Sequence, residues 1–446
     1  MYRGEVPLYG NLVEIVRQVD DSVLTAQGKD PKDLPSRHRL ERHGAIRLGS
    51  NHELGVIKRL FALFGMHPVG YYDLRIVDFP LHATAFRPVS EESLRRNPFR
   101  VFTSVLRKDL LPPRIQASVD GLLRRRNLFT PRLLEIIDRA EAGEIMTSGD
   151  AGDLIFESLK IFKWHSRSTV SIGDYLELKR EHMMIADIAC FPSAHINHLT
   201  PRTLDIDLVQ KEMIRQGLPA KERIEGPPPR QCPILLRQTS FKALEEVVDF
   251  SDAGGMPVPG THTARFGEVE QRGAAVTPRG RELYDKLLLA AEQRTADVAD
   301  GLRDFDDALT DEFSSFPDTW AELRASGLIY LRYRVTSAGR QHAGESETGL
   351  RQGRVSMDHL LSRGFVEYEP ITYEDFLPVS AAGIFQSNLG DKAARPSMCG
   401  TESSLSDLEQ ALGCKVLHEF DLYHQLQQDS IRQCAEALHL DDISMD

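Results

Sequence analysis

The chain has 446 residues, 41% apolar and 27% charged, with a formal net charge of −12 and five widely spaced cysteines. That negative balance argues against a general nucleic-acid binder, which presents a basic face, and against an anionic membrane surface as partner. Few, odd-numbered cysteines without a CxxC pair argue against a disulfide framework or a Cys-based zinc site. No apolar run approaches 18 residues, so no membrane span is expected and a cytoplasmic location follows.

In chain order, residues 5–28 read as a helix carrying Leu12, Ile15, Val16 and Val19, and the charged stretch 29–41 as a loop. His43 to Leu48 reads as a short strand. Ser50-x-x-Glu53 is a capping box that opens a helix with Leu54, Ile57, Leu60, Phe61 and Phe64 at helical spacing. Strands follow over Val69 to Val77 and Leu81 to Phe86, with Asp78-Phe79-Pro80 as the turn. Residues 108–190 look mainly helical, one helix being capped by Thr130-Pro131. Ala194 to Leu199 reads as extended, and Thr200-Pro201 as the start of a helix that runs to about Gln216. Pro233 to Gln238 is a strand, Asp252 to Gly260 a loop, Thr261 to Val276 a strand and Thr277-Pro278 another helix start. Ser406 to Leu438 reads as an amphipathic helix with a capping box at Ser406-x-x-Glu409. A His-bearing strand, a helix and then further strands therefore occur twice, as in a weak internal duplication. The expected organisation is a single large domain over 1–446, with the two repeated units at about 42–107 and 190–276, a helical insertion at about 108–189 and a helical C-terminal cover at about 403–440.

Three segments carry candidate chemistry. His43 and Arg47 are four apart, so strand and helix alike place an imidazole and a guanidinium on one face. An imidazole suits a first-row metal and a guanidinium grips a carboxylate. A surface salt bridge has the same spacing. His195 and His198 are three apart, which on a strand sends them to opposite faces. One can be a ligand and the other a supporting histidine, and spacing leaves open which. Glu268 and Glu270 share a strand face, where two carboxylates repel unless a cation or proton lies between them. A solvated acidic edge strand is the plain alternative. Two imidazoles and a carboxylate match the ligand set of non-haem Fe(II) oxygenases, with open positions for a 2-oxo acid and O2. No nucleotide fingerprint and no G-x-S-x-G element is present.

Several segments carry a further resemblance: Glu5 to Gly10, Arg42-His-Gly-Ala-Ile-Arg47, Pro68 to Asp73, His195-Ile-Asn-His-Leu-Thr-Pro-Arg202, Leu235 to Leu244, His262-Thr-Ala-Arg-Phe-Gly-Glu268 and Tyr373 to Phe385. In order and over nearly the whole chain, they resemble the 2-oxoadipate dioxygenase/decarboxylase family, also called hydroxyglutarate synthase. The resemblance implies an α+β fold like the vicinal-oxygen-chelate enzymes, in which paired βαβββ units form a cupped mixed sheet around a metal. It implies Fe(2+) held by His43, His198 and Glu268, Arg47 on a substrate carboxylate, and Val379 and Ser380 lining the pocket. The implied reaction converts 2-oxoadipate and O2 into 2-hydroxyglutarate and CO2, a step of lysine degradation. Competing readings are a related dioxygenase for another 2-oxo acid and a non-catalytic binding protein on the same fold. The sequence leaves the oligomeric state open.

Overall fold

The structure is a computed structural model that describes residues 1–77, 79–252, 254–295, 301–345, 352–377 and 402–445. The chain packs as two compact units: 1–225, 238–271 and 376–417 form the first, and 226–237, 272–375 and 418–446 the second. The stretches that carry His43, His198 and Glu268 all belong to the first.

Strand–helix–strand–strand–strand occurs twice in the order of elements, the first time with a 3₁₀ turn and the short helix Glu91–Arg96 between its later strands. The first pass is β1 (Glu41–Leu48), the helix Asn51–Ala62, β2 (His67–Asp73), β3 (Leu81–Arg87) and β4 (Arg100–Leu106). A mainly helical stretch with one short strand, β5 (Arg167–Ser171), follows. The second pass is β6 (His198–Pro201), the helix Ile206–Arg215, β7 (Leu236–Ser240), β8 (Leu244–Ser251) and β9 (Pro257–Arg272). Eight strands of the resulting nine-stranded sheet run in the order β2-β3-β4-β1-β6-β9-β8-β5. The sheet is mixed: β1 is parallel to β4 and antiparallel to β6, and β6 is parallel to β9. The fold is thus α+β with one large mixed sheet, as expected. The two passes meet at β1 and β6.

Each half of the sheet has its own apolar backing. Leu54, Ile57, Leu60 and Phe61 pack with Ile46, Leu48, Val101 and Val105 from the strands, and Leu133, Ile136, Leu408 and Leu412 complete that cluster. Behind β9, Leu12, Ile15, Val16 and Val19 of the helix Pro7–Ala26 pack with Ile206, Val209 and Met213. This layering sets side-chain direction. Ile46 and Leu48 point into the helix layer, so His43 and Arg47, of the other parity, point to the opposite face. On β9 a Cβ at Gly267 would lie 2.5 Å from the Phe241 ring. Only glycine lets the strand approach the helix layer there, and Glu268 and Glu270 turn away from it.

Several local expectations are corrected. Thr200-Pro201 is not a helix start but the end of β6, where the missing proline N–H costs no ladder bond. The helix begins at Ile206, capped by the Asp205 side chain. β2 ends at Asp73 and a 3₁₀ turn, Leu74–Val77, follows. β9 already starts at Pro257, inside the expected loop, because Pro257 and Pro259 are two apart and turn their missing donors to the same strand edge. The C-terminal helix is two helices, Glu402–Leu412 and Glu419–Ala437, and Ser406 lies inside the first. Gly413, in the left-handed region at φ 65°, ends it. The Thr130-Pro131 cap forms as read, with the threonine oxygen accepting from the Leu133 amide.

The second unit carries the helices Pro278–Thr295 and Gly301–Phe313 and two small sheets, one antiparallel (Leu331–Val335 with Val366–Pro370) and one parallel (Gln352–Ser356 with Leu440–Ser444). No helix among the described residues is long and apolar enough to cross a membrane.

Candidate metal centre

Three adjacent strands each contribute one side chain to a common point. His43 comes from β1, His198 from β6 and Glu268 from β9, and their ligand atoms lie within 4.8 Å of one another. All three residues are buried. His43 Nε2 stands 2.8 Å from Glu268 Oε1. Ligands about 2.1 Å from a shared ion at right angles lie about 3 Å apart, so this edge is already set. The Thr200 hydroxyl donates to Glu268 Oε1 at 3.3 Å and lies 3.1 Å from His43 Nε2. Phe266 stacks on the His198 ring at 4.8 Å between centroids, and Phe376 meets His43 edge-on at 4.8 Å. These rings keep the centre dry.

Electrostatics assigns different states to the two imidazoles. Burial would lower the His43 pKa, but Glu268 and Glu270 together outweigh it and raise the value above normal. Burial holds His198 well below the normal histidine range, and the neighbouring His43, Arg47 and Lys221 add to the effect. His198 is thus a neutral imidazole, the form that ligates metals. Glu270 takes the other side of His43: Nδ1 donates to its Oε2 at 2.7 Å. Arg42 and Arg100 lie 3.8 and 3.7 Å from Glu270 Oε1. A carboxylate behind a ligating histidine fixes the tautomer and presents the far nitrogen to the ion. Two imidazoles and a carboxylate gathered in a buried centre suit a divalent first-row metal.

The remaining residues of the sequence reading separate cleanly. His195 does not join the centre. Its Nε2 lies 3.2 Å from Asp187 Oδ1, off the line of a good hydrogen bond, and its Nδ1 has no hydrogen-bond partner among the described residues. The extended reading of Ala194 to Leu199 holds only from His198 onward: His195 precedes β6 in irregular backbone, so its position beside Asp187 is not a matter of strand parity. Arg47 is buried and its Nη1 donates to Asp187 Oδ2 at 2.5 Å. Val379 and Ser380 lie outside the described residues. Asp187 was not singled out in the sequence, and His262 only as part of a resembling segment without a role of its own. The usable signal was a lone acid in the apolar run Met183-Met-Ile-Ala-Asp-Ile-Ala189, since a buried carboxylate demands cationic partners.

A family model described as 2-oxoadipate dioxygenase/decarboxylase matches residues 1–388. Proteins of that name from Pseudomonas putida and Escherichia coli are 46% and 47% identical to this chain, covering 99% and 97% of it and 95% of each relative. The solved structure of the hydroxyglutarate synthase from Pseudomonas putida in complex with 2-oxoadipate superposes with a TM-score of 0.86 at 44% identity, covering 99% of this chain and 96% of that one. With near-complete coverage at this identity, and a buried His-His-Glu centre in the shared fold, the chain belongs to the 2-oxoadipate dioxygenase/decarboxylase family.

Proposed function

We propose that this protein is an Fe(II)-dependent oxygenase that converts 2-oxoadipate and O2 into 2-hydroxyglutarate and CO2. The equation balances: six carbons divide into five and one, and both atoms of O2 are retained in the products. The observation that carries the reading is the convergence of His43, His198 and Glu268 from three neighbouring strands, supported by relatives that bear the enzyme's name. A three-ligand set leaves part of an ion's coordination sphere open, and bound Fe(II) would supply the oxygen chemistry that no side chain provides.

The chain's own residues do the rest. Glu270 orients His43, and the buried position of His198 keeps it unprotonated for ligation. Phe266 and Phe376 exclude water, so charges in the pocket are felt strongly. Arg47 lies on the sheet face that carries His43 and receives a substrate carboxylate. That gives a strongly acidic chain the local positive charge that a dianionic keto acid requires. Val379 and Ser380 complete the pocket wall in this proposal.

The test is anaerobic loading with Fe(II), followed by measurement of O2 uptake and CO2 release with 2-oxoadipate, 2-oxoglutarate and phenylpyruvate. Equal consumption of O2 and release of CO2, fastest with 2-oxoadipate, is expected. Turnover with Zn2+ in the absence of oxygen, or preference for the aromatic acid, would overturn the assignment.

A further inference from the structure

Asp187 lies on the short helix Met183–Ala189, and both its carboxylate oxygens are used. Oδ2 accepts from Arg47 Nη1 at 2.5 Å and from Asn197 Nδ2 at 3.4 Å. Oδ1 lies 2.8 Å from His262 Nε2. His262 Nδ1 in turn faces the Tyr175 hydroxyl at 2.9 Å. Trp164 stacks parallel to the His262 ring at 6.1 Å and meets His195 edge-on at 4.7 Å. Asp187, Arg47, Asn197, His262 and Tyr175 are all buried.

The residues that grip Asp187 sit on the same chain segments that hold the metal ligands. Arg47 is four residues from His43 on β1, Asn197 directly precedes His198 at β6, and His262 is six residues from Glu268 on β9. The even separation keeps His43 and Arg47 on one face. A bulge in β9 between Thr263 and Arg265 interrupts the alternation there, and the contact of His262 with Asp187 is what places it beside Arg47. Because β1 and β9 run in opposite directions through β6, stepping from His43 to Arg47 and from Glu268 to His262 moves the same way across the sheet. Asp187 therefore ties together, beside the metal centre, the three segments that build it.

We infer that Asp187 is a positioning residue for Arg47: clamped by His262 and Asn197, it fixes the guanidinium in the direction that receives a substrate carboxylate. The inference rests on the carboxylate-binding role proposed above for Arg47. A free arginine side chain is rich in rotamers, and binding a carboxylate would freeze them. An arm fixed before substrate arrives does not lose that freedom on binding. A carboxylate beside an anion-binding arginine also competes for its charge. If Asp187 were merely a counter-charge, its neutralisation would tighten binding of an anionic substrate. If it positions Arg47, neutralisation weakens binding.

The sign of the effect is the test. 2-Oxoadipate is titrated into the anaerobic, Fe(II)-loaded wild type, Asp187→Asn, Arg47→Ala and the double variant, with the dissociation constant read by calorimetry alongside kcat and KM. Metal stoichiometry and a thermal melt report folding. Asp187→Asn is expected to weaken 2-oxoadipate binding about 10- to 100-fold with bound metal retained, since a shift of about 1 Å costs on that scale. In the Arg47→Ala background it should cost little more, because its effect passes through Arg47. Unchanged or tighter binding in Asp187→Asn, or an equal loss in both backgrounds, overturns the inference. If Asp187→Asn does not fold, His262→Gln loosens the Oδ1 end and should weaken binding less but in the same direction; unaltered binding there overturns the inference too. A wild type that neither binds nor consumes 2-oxoadipate overturns the proposed reaction and this role with it. A wild type that does both beside an unaffected Asp187→Asn variant overturns this role alone.

Discussion

Two buried ionic clusters stand side by side on one face of the sheet, drawn from the same strands. Around His43 the polar atoms converge: His43 Nε2 and Glu268 Oε1 face each other at 2.8 Å, with His198 in the same group. Around Asp187 they are used in pairs: Arg47 and Asn197 on one oxygen, His262 on the other. Composition would not separate the clusters, since each has histidines, a carboxylate and arginines nearby. What separates them is that three ligand atoms from three residues gather within 4.8 Å of one another in the first, whereas in the second the partners are distributed over the two oxygens of a single carboxylate. The imidazole states follow. His198 is held neutral by burial and by neighbouring cations. The Asp187 carboxyl, which burial alone would raise, is held well below the usual carboxylate range by Arg47, His195 and His262.

The largest expected effect comes from removing a converging atom. Glu268→Gln keeps the shape of the side chain but replaces an anionic ligand with a neutral one. Fe(II) content should fall to near background and turnover by more than about 100-fold, because even outer partners of metal ligands cost 10- to 100-fold. Metal analysis after desalting, with O2 uptake on the same sample, checks this. Full iron content in the variant would remove Glu268 from the ligand set and break the distinction between the clusters.

Glu270→Gln probes the residue behind the ligand. It should reduce metal affinity about 10- to 100-fold while leaving the centre able to fill at high Fe(II). It also removes a negative charge beside buried Arg42 and Arg100, so a stability loss of about 3–5 kcal/mol is expected as well. Competition against a chelator, together with a urea titration, resolves the two effects. Lost stability with unchanged metal affinity would make Glu270 purely structural.

Much of the converging cluster was legible in the sequence because its logic is local. The four-residue spacing of His43 and Arg47 and the shared parity of Glu268 and Glu270 both follow from the two-residue strand repeat, whereas the parity argument for His195 and His198 fails because only His198 is on a strand. Choosing Glu268 over Glu270 was different. Both lie on the face that carries His43, and only the resemblance favoured Glu268 as the ligand. The Asp187 cluster was illegible because its partners are 140, 75 and 10 residues away from Asp187. Local pattern carries no information about pairings at that range. The Thr200-Pro201 error has a related cause: a threonine–proline pair marks a helix start or a strand end equally well, and the neighbouring strand at Glu41 decides.

The smallest expected effect concerns a third kind of buried imidazole. His82, on β3, is buried, and its Nδ1 has no hydrogen-bond partner among the described residues. Among the described residues no carboxylate is hydrogen-bonded to the ring as Glu270 is to His43; its hydrogen bond is to the backbone at Ser404. Burial, reinforced by Arg107, lowers its pKa to about 4. The unfolded chain takes up a proton near pH 6.5, whereas the folded chain resists doing so until about pH 4. The stability this residue allows is therefore complete above pH 6.5 and declines as pH falls towards 4. Integrated from pH 7 to 4.5, that is about 2–3 kcal/mol. His82→Gln abolishes the titration, so urea denaturation of both proteins at the two pH values should show the wild type losing about that much more than the variant. Equal losses would mean that His82 is protonated in the fold. Burial without a carboxylate would then be too weak to keep an imidazole neutral, and the state assigned to His198 would have to rest on its cationic neighbours instead.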